Sequence, residues 1–190
     1  MEADDTDEAL MLAYAGGDAG AFDVLYGRHR AGMFRYLLRQ LNNNRTAAEE
    51  LFQDVWTSLI GARARYRVEA KFTTWLYTMA HNRVVDHYRR HRPLERVTRS
   101  DDDDGDDPPE IPAPATVQPE RAAQARQQAA RLLALVEALP TAQREAFLLH
   151  EESGLSLEEI AEVTGADREA VKSRLRYAMG KLRRGMGDLL

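Results

Sequence analysis

A segment of 27 residues, 94–120, constrains this chain more than any other feature. Five of the chain's seven prolines lie between Pro108 and Pro119, and residues 100–120 hold eight acidic side chains and no Lys or Arg. Asp101 to Asp104, Asp106 and Asp107 repel one another while the prolines stiffen the backbone, so no packed core can run through this stretch. The chain must therefore fold as two small units on a tether. The expected organisation is an acidic N-terminal segment at 1–14, a first unit at 15–93, a linker at 94–120 and a second unit at 121–190.

Both flanks carry helical rather than alternating spacing, which predicts an all-α fold. Asp18 is placed to cap a helix bearing Phe22, Leu25, Tyr26, Met33, Phe34, Leu37 and Leu41, with Gly32 as a candidate break. The run Asn42-Asn43-Asn44 reads as a turn. Thr46 and Glu49 have capping-box spacing ahead of a helix with Leu51, Val55 and Leu59 in line, Phe52 and Trp56 beside them, and Gly61 as its end. Residues 62–71 lack a period and read as a basic loop. From Phe72 to about Arg92 another helix is expected, with Trp75, Leu76, Met79 and Val84 on its buried side and Pro93 as its limit.

Charge is distributed against the overall balance. The net charge is −5, yet residues 61–92 carry eight Lys/Arg against Glu69 and Asp86, and residues 167–184 carry seven against Asp167 and Glu169. Two basic footprints on either side of an acidic linker point to nucleic acid, although each alone could be a solvated face. The chain has no cysteine, which excludes disulfides and thiolate metal sites. The acidic start MEADDTDEAL lacks the features of a signal peptide, and no apolar run is long enough to span a bilayer, so a cytoplasmic protein without membrane insertion is expected. Clustered carboxylates occur only in the linker, where metal geometry could not be fixed in advance, and no P-loop, nucleophile elbow or HExxH is present. An enzyme is not expected, nor a cofactor. His87 and His91 have the spacing of a ligand pair, but their strongly positive surroundings argue against a metal.

The most specific local pattern is SLEEIAEVTGADREAVKSRLRYAMGKLRR. Ser156 and Glu159 form a capping box at a short helix, Gly165 supplies a turn, and Asp167 caps a second helix whose buried stripe is expected at Val171, Leu175 and Met179. This is a helix-turn-helix. Arg168, Lys172, Ser173, Arg174 and Arg176 sit near the start of the second helix, the part that reaches base edges when such a helix enters the major groove. Arg can pair bidentately with guanine, whereas Lys and Ser can serve bases or phosphates.

Here a family resemblance becomes specific. The stretch AEELFQDVWTSLIGARARYRVEAKFTTWLYTMAHNRVVDHYRR resembles the sigma-2 domain of RNA polymerase sigma factors. LPTAQREAFLLHEESGLSLEEIAEVTG resembles the sigma-4 domain of the extracytoplasmic-function type, in which the two domains are joined directly. The resemblance implies an alternative sigma factor that directs promoter-specific initiation by recognising −10 and −35 elements. It implies core polymerase as partner, through its β′ coiled coil and β flap, together with promoter DNA and, as the usual family partner, an anti-sigma factor. It also implies that Glu50, Gln53 and Asp54 contact the coiled coil. The −10 element would fall to Arg63, Arg65, Tyr66, Arg67, Lys71, Phe72 and Trp75, with Asn82, Arg83, Asp86 and Arg89 at its upstream edge. Cations interleaved with aromatic rings suit an unpaired strand, since bases stack on rings while cations hold the backbone. Trp75 has an equally good reading as a core residue. Primary sigma factors place a Trp pair where this chain has Thr78 and Met79, which implies weaker melting power here. A dimeric helix-turn-helix regulator would explain residues 122–186 but leave the Phe72 to Arg90 segment unexplained.

The linker is long enough for this role. Extended, its 27 residues span at most about 90–97 Å. As a coil its ends average about 26–31 Å apart. Elements separated by about 17 base pairs, the spacing implied by the resemblance, lie roughly 58 Å apart. Its acids are expected either to keep it solvated or to act in place of nucleic acid at basic surfaces.

Overall fold

A computed structural model describes residues 5–91 and 119–187, with side chains of the second part from residue 124 onward. Every regular element among the described residues is helical, and they fall into two units. The linker expectations, including those on Asp101 to Asp107, lie outside the described residues, as does Pro93.

The first unit begins earlier than expected. Thr6 caps α1 (Asp7–Ala15), its side chain accepting from the Ala9 N–H, and the helix buries Leu10 and Met11 in the core. The N-terminal segment is thus partly structural. Its Glu8 carboxylate accepts from the Phe72 N–H at 2.8 Å, satisfying a free donor at the start of a distant helix. Asp7 meets Arg28 and His29 at 2.7 and 2.6 Å; burial opposes its charge, but these partners hold its carboxyl below the usual range.

Asp18 caps α2 (Ala19–Gln40) as read from the sequence, and the helix runs through Gly32 without a break. Asn42 and Asn43 then adopt φ of 50° and 57°, which asparagine tolerates, and turn the chain. The cap of α3 (Arg45–Ala62) is Asn44, not Thr46. Asn44 Oδ1 accepts from the Ala47 N–H at 3.1 Å, which puts Thr46 inside the helix and leaves Glu49 to pair with Arg45. The helix also continues past Gly61 into a 3-10 turn, Arg63–Arg65. Helix α4 (Phe72–His91) buries Phe72, Leu76, Ala80 and Val84 at steps of four, with Trp75 and Met79 only partly covered.

The second unit comprises α5 (Pro119–Glu137), α6 (Thr141–Ser153), α7 (Leu157–Thr164) and α8 (Arg168–Met186). Its core gathers Val136, Leu139, Ala146, Leu148, Leu149, Leu155, Ile160, Val163, Val171, Ala178 and Leu182. The two units pack on each other, α6 against α2 and α7 against α4.

Candidate nucleic-acid interface

The helix-turn-helix is built by local chemistry. Ser156 Oγ accepts from the Glu159 N–H at 3.3 Å while the Glu159 carboxylate accepts from the Ser156 N–H at 2.8 Å, closing the box that starts α7. Gly165 takes φ 62° and ψ 21°, the left-handed conformation that lets the chain reverse. Asp167 accepts from the Glu169 N–H at 3.1 Å and starts α8.

The buried stripe of α8 differs from the sequence reading. Val171, Ala178 and Leu182 are buried and Leu175 is half-buried, whereas Met179 is 40% exposed. Successive i+4 steps drift by about 40° around a helix of 3.6 residues per turn, so a stripe held at 171, 175 and 179 rotates out of the core. Alternating steps of four and three keep it in line.

Around the rest of the helix, Lys172 and Arg176 are exposed, and Ser173 and Arg174 half-exposed. Arg168 is exposed but engaged: its Nε donates to Glu158 and its Nη1 to Glu169 at 3.2 Å. The hydrogen bond to Arg168 holds the Glu158 carboxyl below its ordinary range, and Glu158 in turn raises Arg168. Lys172 also reaches Glu169, at 3.3 Å. Arg176 lies over the exposed Tyr177 ring. Arg174 and Arg176 make no ion pair among the described residues, unlike Arg168 and Lys172, which leaves them the cations of this set without a carboxylate partner.

In the first unit, Arg63, Arg65 and Arg67 are exposed on the loop before α4. Arg67 and Arg63 tie back to backbone carbonyls, Arg67 Nη1 to Tyr66 at 2.8 Å and Arg63 Nη1 to Ile60 at 3.1 Å. The aromatic part of this set departs from expectation. Tyr66 is 3% exposed and Phe72 fully buried, and Trp75 packs against both, its ring centroid 5.0 Å from Tyr66 and 6.3 Å from Phe72. These rings supply the apolar floor on which the loop cations stand; in this arrangement Tyr66 and Phe72 offer no face to a base. Burial, followed by the charges of Glu8 and Asp7, pushes the Tyr66 hydroxyl up to about 12. Asn82 is exposed, Arg83 Nη2 donates to Ser58 Oγ at 2.7 Å, and Asp86 lies 3.9 Å from Arg89. Lys71 reaches across to Glu159 of the second unit at 2.9 Å. His87 and His91 stack at 4.1 Å, with His91 Nδ1 donating to the His87 carbonyl.

A separate face of α3 presents Glu50, Gln53 and Asp54, all exposed and at helical spacing, opposite the buried Leu51, Val55 and Leu59.

Several residues to which the sequence reading gave no functional role lie where the units meet: Gly32, Tyr36, Asn42, His81, Arg144, Glu145 and Glu152. Arg144 is 5% exposed, and its Nη1 donates to Asn42 Oδ1 at 2.7 Å and to the Glu137 carbonyl at 3.1 Å. The only signal in the sequence is charge spacing, Arg35 with Arg39 one helical turn apart and Glu145 with Glu152 two turns apart.

Comparison with known proteins places this geometry. Residues 25–93 match the family profile of sigma-70 region 2, and residues 129–182 match that of sigma-70 region 4. The ECF RNA polymerase sigma factor SigM of Mycobacterium tuberculosis is 29% identical over 189 residues, covering 97% of this chain and 86% of its own. The fold resembles that of CnrH solved in complex with the cytosolic domain of CnrY, with a TM-score of 0.67 at 24% identity over 98% of this chain and 100% of that one. It also resembles the sigma factor RpoE of Bartonella quintana, solved with the anti-sigma factor NepR, with a TM-score of 0.65 at 18% identity over 87% and 96% of the two chains. With region 2 and region 4 both matched, and nothing but a short linker between them, the chain belongs to the RNA polymerase sigma factors of the extracytoplasmic-function type.

Proposed function

We propose that this chain confers promoter specificity on core RNA polymerase by a division of labour among its faces. The exposed Glu50, Gln53 and Asp54 of α3 meet the β′ coiled coil, and the second unit meets the β flap. The loop cations Arg63, Arg65 and Arg67, with Lys71, Asn82, Arg83, Asp86 and Arg89, take the −10 element, and Trp75 serves there as support beneath the loop. Helix α8 takes the −35 element through Arg174, Arg176, Lys172 and Ser173, with Arg168 at its start. The reading assigns the chain no catalytic step, no cofactor and a place in the cytoplasm. It admits an anti-sigma factor as a regulatory partner, as in the Bartonella complex.

The observation that supports this reading is that two exposed cation sets, on the loop before α4 and on α8, stand apart from the exposed Glu50, Gln53 and Asp54 of α3. A Gln53→Ala/Asp54→Ala variant tests it. Folded double mutant is expected to lose β′ binding in a pull-down and run-off transcription with core polymerase together, while keeping its helical content. Undiminished β′ binding by the folded variant would overturn the assignment of α3.

A further inference from the structure

The cations assigned to the −10 element are held in different ways. Arg63 and Arg67 bond to nearby backbone carbonyls, Arg89 lies 3.9 Å from Asp86 on its own helix, and Lys71 pairs with Glu159. Arg83 differs from all of these. Among the described residues it has no carboxylate partner, and its Nη2 donates at 2.7 Å to Ser58 Oγ, a side chain of the neighbouring helix α3. The two helices pack directly, and Arg83 lies on the half-buried flank of α4, one turn after Met79 and beside the buried Ala80 and Val84.

The Ser58 hydroxyl is set up to accept. It has one hydrogen, and that hydrogen goes to the Asp54 carbonyl one turn earlier in α3, at 2.6 Å. Its oxygen lone pairs are left facing a guanidinium, which can only donate. A carboxylate at this place would hold the cation but also neutralise it. A hydroxyl orients the cation and leaves its charge whole. The geometry of the guanidinium matters as well. Nη2 contributes one hydrogen to each of the two edges that present a pair of parallel donors. With one of those hydrogens on Ser58, the other edge stays complete for two adjacent acceptors, such as guanine O6 and N7 or two phosphate oxygens.

We infer that Ser58 is a positioning residue for promoter recognition: it touches no DNA, and it aims the Arg83 guanidinium from across the α3–α4 groove. The inference deepens the proposed function and rests on its assignment of Arg83 to the upstream edge of the −10 element. A free arginine side chain loses rotamer freedom when it meets a ligand, and a side chain already tethered loses less. Ser58 therefore strengthens a contact it does not make, and it does so without lowering the positive charge of α4.

A double-mutant cycle tests this. Ser58→Ala removes the acceptor and favours the helix, since alanine is the better helix former. Ser58→Thr keeps a hydroxyl that can make both bonds. Arg83→Ala and Ser58→Ala/Arg83→Ala complete the set. Each full-length variant, checked for folding by circular dichroism, is assembled with core polymerase and assayed by run-off transcription on a template library randomised at both promoter elements. Arg83→Ala is expected to relax base preference at one −10 position if its acceptor is a guanine edge, or to lower output evenly across the library if its acceptor is phosphate. Ser58→Ala should weaken the same quantity about two- to tenfold, the range that ordering one long side chain at an interface costs. Ser58→Thr should restore it, and the double variant should match Arg83→Ala alone. NMR relaxation of the Arg83 Nε–H reads the tether with no promoter present: restrained in the wild type and Ser58→Thr, mobile in Ser58→Ala.

An Arg83 side chain as mobile in the wild type as in Ser58→Ala overturns the inference. So does Ser58→Ala with wild-type output and preferences, or a Ser58→Ala loss that adds in full to that of Arg83→Ala. Wild-type transcription by Arg83→Ala is a different failure: it removes Arg83 from the −10 element, and the inference falls with that assignment even where the NMR shows the tether.

Discussion

Gly165 is the pivot of the helix-turn-helix, and its substitution isolates a backbone effect. Its φ of 62° lies in the left-handed region, and a Cβ built there meets nothing within 4 Å. Steric clash is therefore absent, and the whole cost of a side chain is conformational. For an ordinary L residue that cost is about 1–2 kcal/mol. Against it stands about 0.4–1 kcal/mol gained because alanine restricts the unfolded chain. Gly165→Ala should thus destabilise by about 1 kcal/mol, Gly165→Asn by less because asparagine visits this region readily, and Gly165→Val by more because β-branching makes it an outlier. For a unit of this size each kcal/mol corresponds to roughly 4–8 °C in Tm. Thermal melts of the full-length variants, followed by far-ultraviolet circular dichroism, give the order Gly, Asn, Ala, Val. A valine variant as stable as the wild type, or an asparagine variant worse than valine, would refute the claim that this turn holds its angle in solution.

Other outcomes follow from the pairing pattern on α8 and the burial of Tyr66. Arg174→Ala should relax base preference at one position of the −35 element, at about 1–3 kcal/mol if the lost contact is bidentate to guanine. Arg168→Ala should cost less, because binding must first draw Arg168 from Glu158 and Glu169; transcription across a promoter-variant library compares the two, and equal losses would count against the pre-paired state. Tyr66 should ionise near pH 12 in an ultraviolet titration of the folded protein, well above the ordinary tyrosine value of 10.0. Because the folded value is the higher one, this group leaves stability unchanged below pH 10 and lowers it as pH rises from 10 through 12. Tyr66→Phe removes that dependence, and since the buried hydroxyl has no hydrogen-bond partner among the described residues, the variant should be at least as stable as the wild type in urea denaturation.

What could be read in the sequence was set by how local each signal is. Ser156, Glu159, Gly165 and Asp167 lie within twelve residues and act through neighbouring backbone, so the helix-turn-helix was legible down to its caps. Competition between nearby caps was not. Asn44 and Thr46 both suit an N-terminus, and the asparagine turn preceding α3 decided for Asn44. The stripe of α8 was read one residue off because three points cannot separate a period of 4 from one of 3.6. Tyr66 and Phe72 looked like stacking platforms because they interleave with cations, yet aromatic rings bury more area than any other side chain, and α1 and α2 supply a core for them. The packing of the units was invisible for a different reason: its partners, such as Arg35 and Glu152, are separated by 117 positions, and no local pattern links them.

The second unit's charge is segregated in a way that ties these observations together. Acids dominate α6 and α7, where Glu145, Glu152 and Glu159 meet the first unit, whereas α8 carries Lys172, Arg174, Arg176, Lys181, Arg183 and Arg184. A unit that only bound DNA would gain from cations on every face near the duplex, and these acids would weaken it. A unit that only held the first would have no use for a basic α8. Segregation keeps the acids of α6 and α7 against the first unit and leaves the cations of α8 at the surface, so the two charge sets do not share a face. Glu158 of α7 and Glu169 of α8 hold Arg168, the first cation of α8. The acidic linker has the same sign as the acids of α6 and α7. Any electrostatic attraction it exerts is therefore toward basic segments such as α8 and the loop before α4.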